Sequence, residues 1–301
     1  MTPIRLLAIG EVMAEIRTRG DGFAVGFAGD TYNTAVYAAR QLGAHGQVGY
    51  VTRVGREPLS QALLNHAGGE GLDISHIAID PDHNIGIYAV ATDAHGERSF
   101  SYWRSDSAAR RLFAVEETAL FMPPADIIYL SGITLAVLTP AGRSRLFEML
   151  ANARADGGTK VAFDSNYRPA LWQDRATARE VMARMWQLTD IALPSIDDEM
   201  ALHGIDSENA VIDRFAAQDW DGIAIKRGVR GPVSPNLAPQ DLPDFPPAEK
   251  VVDTTAAGDS FNGGYLAAFL GGADEAERLA AGHRLAAAVV AAPGAIIPRE
   301  K

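Results

Sequence analysis

Residues 251–270 read VVDTTAAGDSFNGGYLAAFL and set one carboxylate, Asp259, between a run of small residues and an apolar helical pattern. VVD reads as the end of a strand, and the apolar spacing beyond Asp259 is that of a helix. Asp259 then falls in the first turn. There the backbone N–H groups of Ala256, Ala257 and Gly258 lack partners within the helix and, with the helix dipole, attract anions. An aspartate in that position can be simply an N-cap. A cap does not require the run Thr254, Thr255, Ala256, Ala257 and Gly258, which is small enough for a phosphate to approach the backbone. The pattern therefore also fits a carboxylate that works beside a bound anion.

Other residues able to do chemistry are spread along the chain. Gly29, Asp30 and Asn33 stand in FAGDTYN, where Asp30 can also cap the helical pattern that follows. Arg104 in YWRSDSAA and Arg168 in NYRPALW carry planar guanidinium groups, which match a carboxylate with two hydrogen bonds or form an ordinary surface ion pair. Lys226, Gly228 and Gly231 lie in IKRGVRG, which a strand end followed by a turn explains equally well. The chain has no G-x-x-x-x-G-K-[ST] loop, and its first strand is followed by EVMAE instead of G-x-G-x-x-G. A P-loop enzyme and a dinucleotide-binding dehydrogenase are thereby disfavoured.

The elements that must position these residues alternate. Strand-like runs at 6–10, 47–55, 126–132, 160–166, 191–195 and 222–228 are separated by helical patterns such as YNTAVYAARQLG, REPLSQALLNHAGGEG, TPAGRSRLFEMLANARADG and RATAREVMARMWQLTD. This order predicts a mostly parallel sheet with helices on both faces. Arg168 follows a strand directly, at the end of the sheet where ligands of such folds bind. Residues 11–30 and 84–104 break the rhythm with period-two alternation, the second around a hairpin-like turn at His95-Gly96. They are expected to form a small separate sheet that covers the site; the alternative is an antiparallel extension of the main sheet. The proline-rich stretch 231–250 reads as a surface hairpin and connector.

A chain of 301 residues that is 47% hydrophobic can bury a substantial core. Its formal net charge of -11 argues against nucleic acid or an anionic membrane as partner, so an anionic ligand must be met by local cations. The absence of cysteine excludes disulfides, thiolate metal sites and a cysteine nucleophile. The apolar run LLAIG near the N-terminus is interrupted at Glu11, which fits a first strand and not a signal peptide. The expectation is a soluble cytoplasmic protein.

DTTAAGDSFNGGYL (253–266) is similar to the C-terminal signature of the ribokinase-like carbohydrate kinases, and FAGDTYNTAVYAARQLG (27–43) to their N-terminal one. Within that family YWRSDSAA (102–109), FDSNYRPALW (163–172), LPSIDDE (193–199) and PGAIIP (293–298) most resemble the 2-keto-3-deoxygluconate kinases. The resemblance runs over nearly the whole chain. It implies one ribokinase-like domain over residues 1–301, a three-layer α/β/α sandwich with a mostly parallel central sheet and a small β-sheet lid. It also implies ATP with Mg2+, and Asp259 as the base that takes a proton from a sugar hydroxyl. The amides of Ala256, Ala257 and Gly258 would form the anion hole.

On the same resemblance Gly29, Asp30, Asn33, Tyr88 and Tyr102 contact the sugar, with a packed strand tyrosine as the rival reading of the last two. Arg104 and Arg168 face the pocket, which in so acidic a chain points to a sugar acid. Lys226, Gly228, Gly231, Ser195 and His283 lie along the nucleotide, although a histidine in AAGHRLAAAVV can equally be packed there. Ser195 and Asp198 stand where many relatives have the ends of an N-x-x-E motif linked to magnesium. The asparagine is missing, so Asp198 is at most a minor metal ligand and the ion is carried mainly by phosphates. A homodimer or higher homo-oligomer through the lid is the default expectation.

Overall fold

The computed structural model describes residues 3–19, 21–92, 98–114, 122–155 and 157–299. Its strands are β1 (Ile4–Ile9), β2 (Met13–Arg19), β3 (Gly22–Ala28), β4 (Gln47–Val54), β5 (Leu72–Asp73), β6 (Ile77–Ile79), β7 (Gly86–Thr92), β8 (Arg98–Trp103), β9 (Ala125–Ser131), β10 (Lys160–Asp164), β11 (Ile191–Ala192) and β12 (Gly222–Ile223). Its helices are α1 (Asp30–Leu42), α2 (Pro58–Gly69), α3 (Gly132–Val137), α4 (Pro140–Ala155), α5 (Arg175–Trp186), α6 (Ile196–His203), α7 (Glu208–Ala216), α8 (Ala257–Leu270) and α9 (Glu275–Val290).

The central sheet runs β12-β11-β10-β9-β1-β4-β5, with β6 also on β4, and its strand pairs are parallel. Such a sheet is buried on both faces, which is why its strands read as unbroken apolar runs. In β1, Leu7 and Ile9 enter a core with Leu146, Phe147, Met182, Trp186 and Phe215 from α4, α5 and α7. Leu6 and Ala8 point the opposite way, into a core with Tyr32, Val36, Leu63, Tyr265 and Leu279 from α1, α2, α8 and α9. Three layers result.

A second sheet, β3-β2-β7-β8, stands apart, so the alternative of an extended main sheet is set aside. The turn expected at His95-Gly96 lies outside the described residues. Chain crossing at the base of this sheet is tight. A Cβ on Gly29 would lie 2.2 Å from Glu11 O, so only glycine lets the chain leave β3 for α1 at that point. Pairing register separates the two faces of the lid. Ala28–Met13–Gly86 and Gly26–Glu15–Tyr88–Tyr102 form rows on the face that carries Met13, Tyr88 and Tyr102 into the cleft, and on the opposite face Phe27, Ala14 and Ile87 of the row Phe27–Ala14–Ile87–Trp103 pack on the α1/α2 core while Val25–Ile16–Ala89–Ser101 lies beyond it.

Three sequence expectations need correction. VVD at 251–253 is not a strand: the amides of Val252 and Asp253 donate to Val290 O at the end of α9 (2.8 and 3.2 Å), so a helix terminus takes the place of a neighbouring strand. The stretch 231–250 is more than a surface hairpin. It begins with an antiparallel bridge, Ile225 to Val233, but Leu237, Leu242 and Phe245 then pack on the α1/α8 core. The runs at 191–195 and 222–228 are also shorter strands than expected, continued by a single bridge from Ser195 to Lys226.

Candidate active site

Between the C-terminal ends of the central strands and the lid lies a cleft of about 860 Å³. Of the residues that the sequence singled out for catalysis, sugar, nucleotide or metal, all but Gly231 line it. Gly231 instead makes the turn beside it, at φ 75 with Phe245 packed where a Cβ would sit.

Asp259 sits in the first turn of α8, as its spacing predicts. The residue before that helix, Ala256, adopts a left-handed conformation (φ 60, ψ 16). For a residue with a Cβ this costs roughly 1–2 kcal/mol. The surroundings hold it there: Asp253 accepts hydrogen bonds from the amides of Thr255 and Gly294 (2.8 and 2.9 Å), and Ala256 O accepts from Ser260 N (2.8 Å). The amide of Ala257 donates to Thr254 O (3.2 Å), so it turns into the loop and not toward the cleft. A Cβ on Gly258 would lie 3.8 Å from Lys226 Nζ, which places an ammonium group beside the helix start.

Below Asp259 is a buried polar floor. Asn33 Nδ2 donates to the Asp259 carboxylate (2.8 Å), which ties α1 to α8 at the site. Asp30 accepts from Ser131 Oγ and from Asn166 Nδ2 (2.7 Å). Lys226 Nζ donates to Asp164 (2.6 Å) and to Asn262 Oδ1 (3.1 Å), while Asn262 Nδ2 donates to Asp164 (2.6 Å) and to Tyr129 Oη (3.0 Å). Desolvation pushes the Asp259 carboxyl well above the usual carboxylate range, and the nearby charge of Asp30 pushes it further. Asp30 is raised as well, by burial first and by the charge of Asp164. A carboxylate made more basic in this way suits proton abstraction near neutral pH.

The sequence reading missed Asp164, Asn166 and Asn262, although all three were in quoted motifs. Asp164 and Asn166 end β10 and its following turn, and polar residues at that edge of a parallel sheet are the available signal. Asn262 is one helical turn from Asp259, on a face that looked apolar.

On the lid, Tyr88 donates its hydroxyl to Glu15 (2.8 Å) and stacks on Tyr102 at 5.9 Å between ring centroids. It therefore offers the cleft a ring. Arg104 pairs with buried Glu11, which also accepts from Ser107. Arg168 Nη1 donates to Tyr167 O (2.9 Å) and to Asp198 Oδ1 (3.0 Å). Glu199 turns away from the cleft to Arg214 (3.0 Å). His283 both lines the cleft and packs: its Nε2–H donates to Pro246 O (2.7 Å) and its ring lies 5.1 Å from that of Phe245. Ala286, Ala287, Val290 and Val251 continue from it as an apolar wall. Among the described residues no three His, Cys, Asp or Glu side chains converge as a metal cage, and no helix is long and apolar enough to cross a membrane.

The family model described as pfkB family carbohydrate kinase matches residues 5–301. The 2-dehydro-3-deoxygluconokinase of Escherichia coli strain K12 is 41% identical over 304 residues, 98% of each chain. That of Dickeya dadantii strain 3937 is 40% identical over 308 residues, 100% of this chain and 99% of its own. A fructokinase structure from Vibrio cholerae O395, in fructose, ADP and calcium ion bound form, superposes with a TM-score of 0.81 over 97% of this chain and 94% of that one. At 24% identity this is a likeness of fold.

Proposed function

This chain belongs to the pfkB family of carbohydrate kinases, and from that footing we propose that it transfers the γ-phosphoryl group of ATP to the C6 hydroxyl of 2-keto-3-deoxygluconate. The observation that carries the reading is the sharing of one cleft by Asp259 and the guanidinium groups of Arg104 and Arg168. A neutral sugar needs no such cations. Full-length similarity to enzymes named for this sugar acid supports the same choice.

In the proposed reaction Asp259 accepts the proton of the C6 hydroxyl as that oxygen bonds to the γ-phosphorus. The bond from the γ-phosphorus to the bridging oxygen breaks, and ADP leaves with the electron pair. The amides of Ala256 and Gly258 at the start of α8, with Lys226 beside them, face the charge on the transferring oxygens. The amide of Ala257 joins them only if it gives up Thr254 O. Lys226 owes its position to Asp164 and Asn262. Adenine stacks against the apolar wall of Val251, Ala286, Ala287 and Val290, near His283. Magnesium, when bound with the nucleotide, would supply charge neutralisation on the phosphates. Among the described residues no protein cage converges on it, so the nucleotide phosphates would be its main ligands, and Asp197 and Asp198 are among the carboxylates of the cleft lining.

The lid excludes water that would otherwise compete as acceptor. Its outer face leaves Phe23, Val25 and Trp103 77%, 54% and 61% exposed. Exposed apolar groups gathered on one sheet face mark an interface, and we assign that face to a second copy of this chain.

A coupled ATP-consumption assay with magnesium tests the substrate. It would compare 2-keto-3-deoxygluconate, its galactonate epimer, gluconate, fructose and ribose. Turnover confined to the keto-deoxy acids is expected. A preference for fructose or ribose would remove the sugar-acid reading and leave the kinase family standing.

A further inference from the structure

Arg104 and Arg168 are each held by a carboxylate, and the two pairs differ in burial. The side chains of Arg104 and Glu11 are 13% and 1% exposed. Those of Arg168 and Asp198 are 52% and 17% exposed. We propose that Asp198 is a positioning residue for the substrate carboxylate, acting through Arg168, and not a ligand of the metal carried by the nucleotide. The proposal rests on the sugar-acid reading of the cleft.

The hydrogen-bond geometry of Arg168 carries the argument. Both hydrogens of Nη1 are used, one on Tyr167 O (2.9 Å) and one on Asp198 Oδ1 (3.0 Å). Two anchors on one nitrogen fix the plane of the guanidinium. Its other edge, Nε–H with Nη2, makes no hydrogen bond or ion pair within the described residues, and Arg168 lines the cleft. That edge is the one this protein uses to grip carboxylates elsewhere. Arg40 holds Glu70 through Nε and Nη2 (both 2.9 Å), and Arg154 holds Asp190 through the same pair of nitrogens (3.0 and 2.6 Å). Arg168 thus presents a preset two-point donor that lacks its acceptor.

The same contact makes Asp198 a poor metal ligand. A divalent cation on that carboxylate would face the guanidinium already bonded to it, and like charges a few ångströms apart repel in a partly desolvated site. Arg104 needs less support, because it is already enclosed. A half-exposed arginine without Asp198 would spread over many rotamers and would have to be ordered when substrate binds. That ordering cost corresponds to about tenfold in affinity.

The experiment uses the full chain. Calorimetry would measure 2-keto-3-deoxygluconate binding in EDTA, without nucleotide, for wild type, Asp198→Ala, Asp198→Asn, Arg168→Ala and the double variant Asp198→Ala/Arg168→Ala. Steady-state assays would add KM, kcat and the half-saturating magnesium concentration. Asp198→Ala should weaken metal-free binding about tenfold and raise KM for the sugar acid, with kcat within about twofold and the magnesium titration unmoved. Asp198→Asn, which keeps an acceptor for Nη1 but not the charge a metal needs, should recover most of the affinity. In the Arg168→Ala background the Asp198 change should add nothing.

Unchanged metal-free affinity in Asp198→Ala, a higher magnesium requirement in both Asp198 variants, or additive losses in the double variant would each overturn the proposal. Failure of the wild type to bind the sugar acid would overturn the substrate reading, and this proposal with it.

Discussion

At the floor of the cleft, Asp30, Asp164 and Asp259 are tied down by amide, hydroxyl or ammonium donors from α1, α8, β9, the segment after β12 and the turn after β10, with Asn33, Asp164, Asn166 and Asn262 buried and Asp30 and Asp259 half-buried. Across the cleft, the lid is half open. Tyr102 is 54% exposed, held by stacking on Tyr88, and the outer rows of the sheet are apolar. The floor withdraws Asp30 and Asp259 from much of the water around them, so burial raises their carboxyls above the usual range, and hydrogen bonds fix their positions before any ligand arrives. The lid keeps surface free, and under the proposed reading that surface takes substrate on one face and a second copy on the other. In the proposed reading the chemistry falls to the floor, while the substrate carboxylate is met from both sides, by Arg104 after β8 and by Arg168 after β10.

Four substitutions sharpen or break that contrast, beginning at the floor. Asp259→Asn should lower kcat by about 10²–10⁴-fold with ATP binding retained, measured by stopped-time assay and nucleotide titration. It should also stabilise the protein. The folded-state pKa of Asp259 lies above its unfolded value, so ionising it costs stability as pH rises through the folded value. The melting temperature of the variant should therefore exceed that of wild type by a margin that widens toward alkaline pH. A narrowing margin would mean that Asp259 is not the buried, raised carboxyl described above.

Asp30→Asn should cost about 10–100-fold in kcat/KM, the scale of a hydrogen bond to a charged group. Removal of its charge takes away the second cause of the raised Asp259 carboxyl, so the acid limb of the pH–rate profile should move to lower pH. An unmoved limb would separate the titration from Asp259.

On the lid the effects should be smaller. Tyr88→Phe keeps the stacked ring and removes the donor to Glu15, which retains Arg17 Nε at 2.8 Å. Thermal unfolding should show a loss of about 1–2 kcal/mol, with kcat within a few-fold of wild type. A collapse of kcat would show that the hydroxyl works on substrate. Val25→Glu, on the outer face, should leave the melting curve of the subunit nearly unchanged and raise the dimer dissociation constant at least about tenfold by light scattering. An unaltered molecular mass at low concentration would move the interface elsewhere.

Much of this was legible in one dimension. The alternation of apolar runs and helical patterns gave the parallel sheet, because a strand buried on both faces has to be apolar throughout. The period-two segments gave the separate lid, because a sheet with one wet face alternates. Asp259 was legible because its neighbours in space are also its neighbours in sequence: a helix start brings its own amides. The errors at VVD and at 231–250 have the opposite origin. Val252 pairs with the end of α9 and Phe245 packs against His283, both over long sequence separations that no local pattern reports.

The sequence by itself determined the layers, the lid and the helix start that bears Asp259, since each follows from periodicity or from residues within one turn. Only the tertiary structure decided which side chains meet. It set Asn33 on Asp259 across 226 positions and Lys226 on Asp164 across 62, and it put Arg168 against Asp198. The physical reason is that a buried charge takes whatever partner folding brings within hydrogen-bond reach. That proximity is a property of packing, which a linear pattern does not contain.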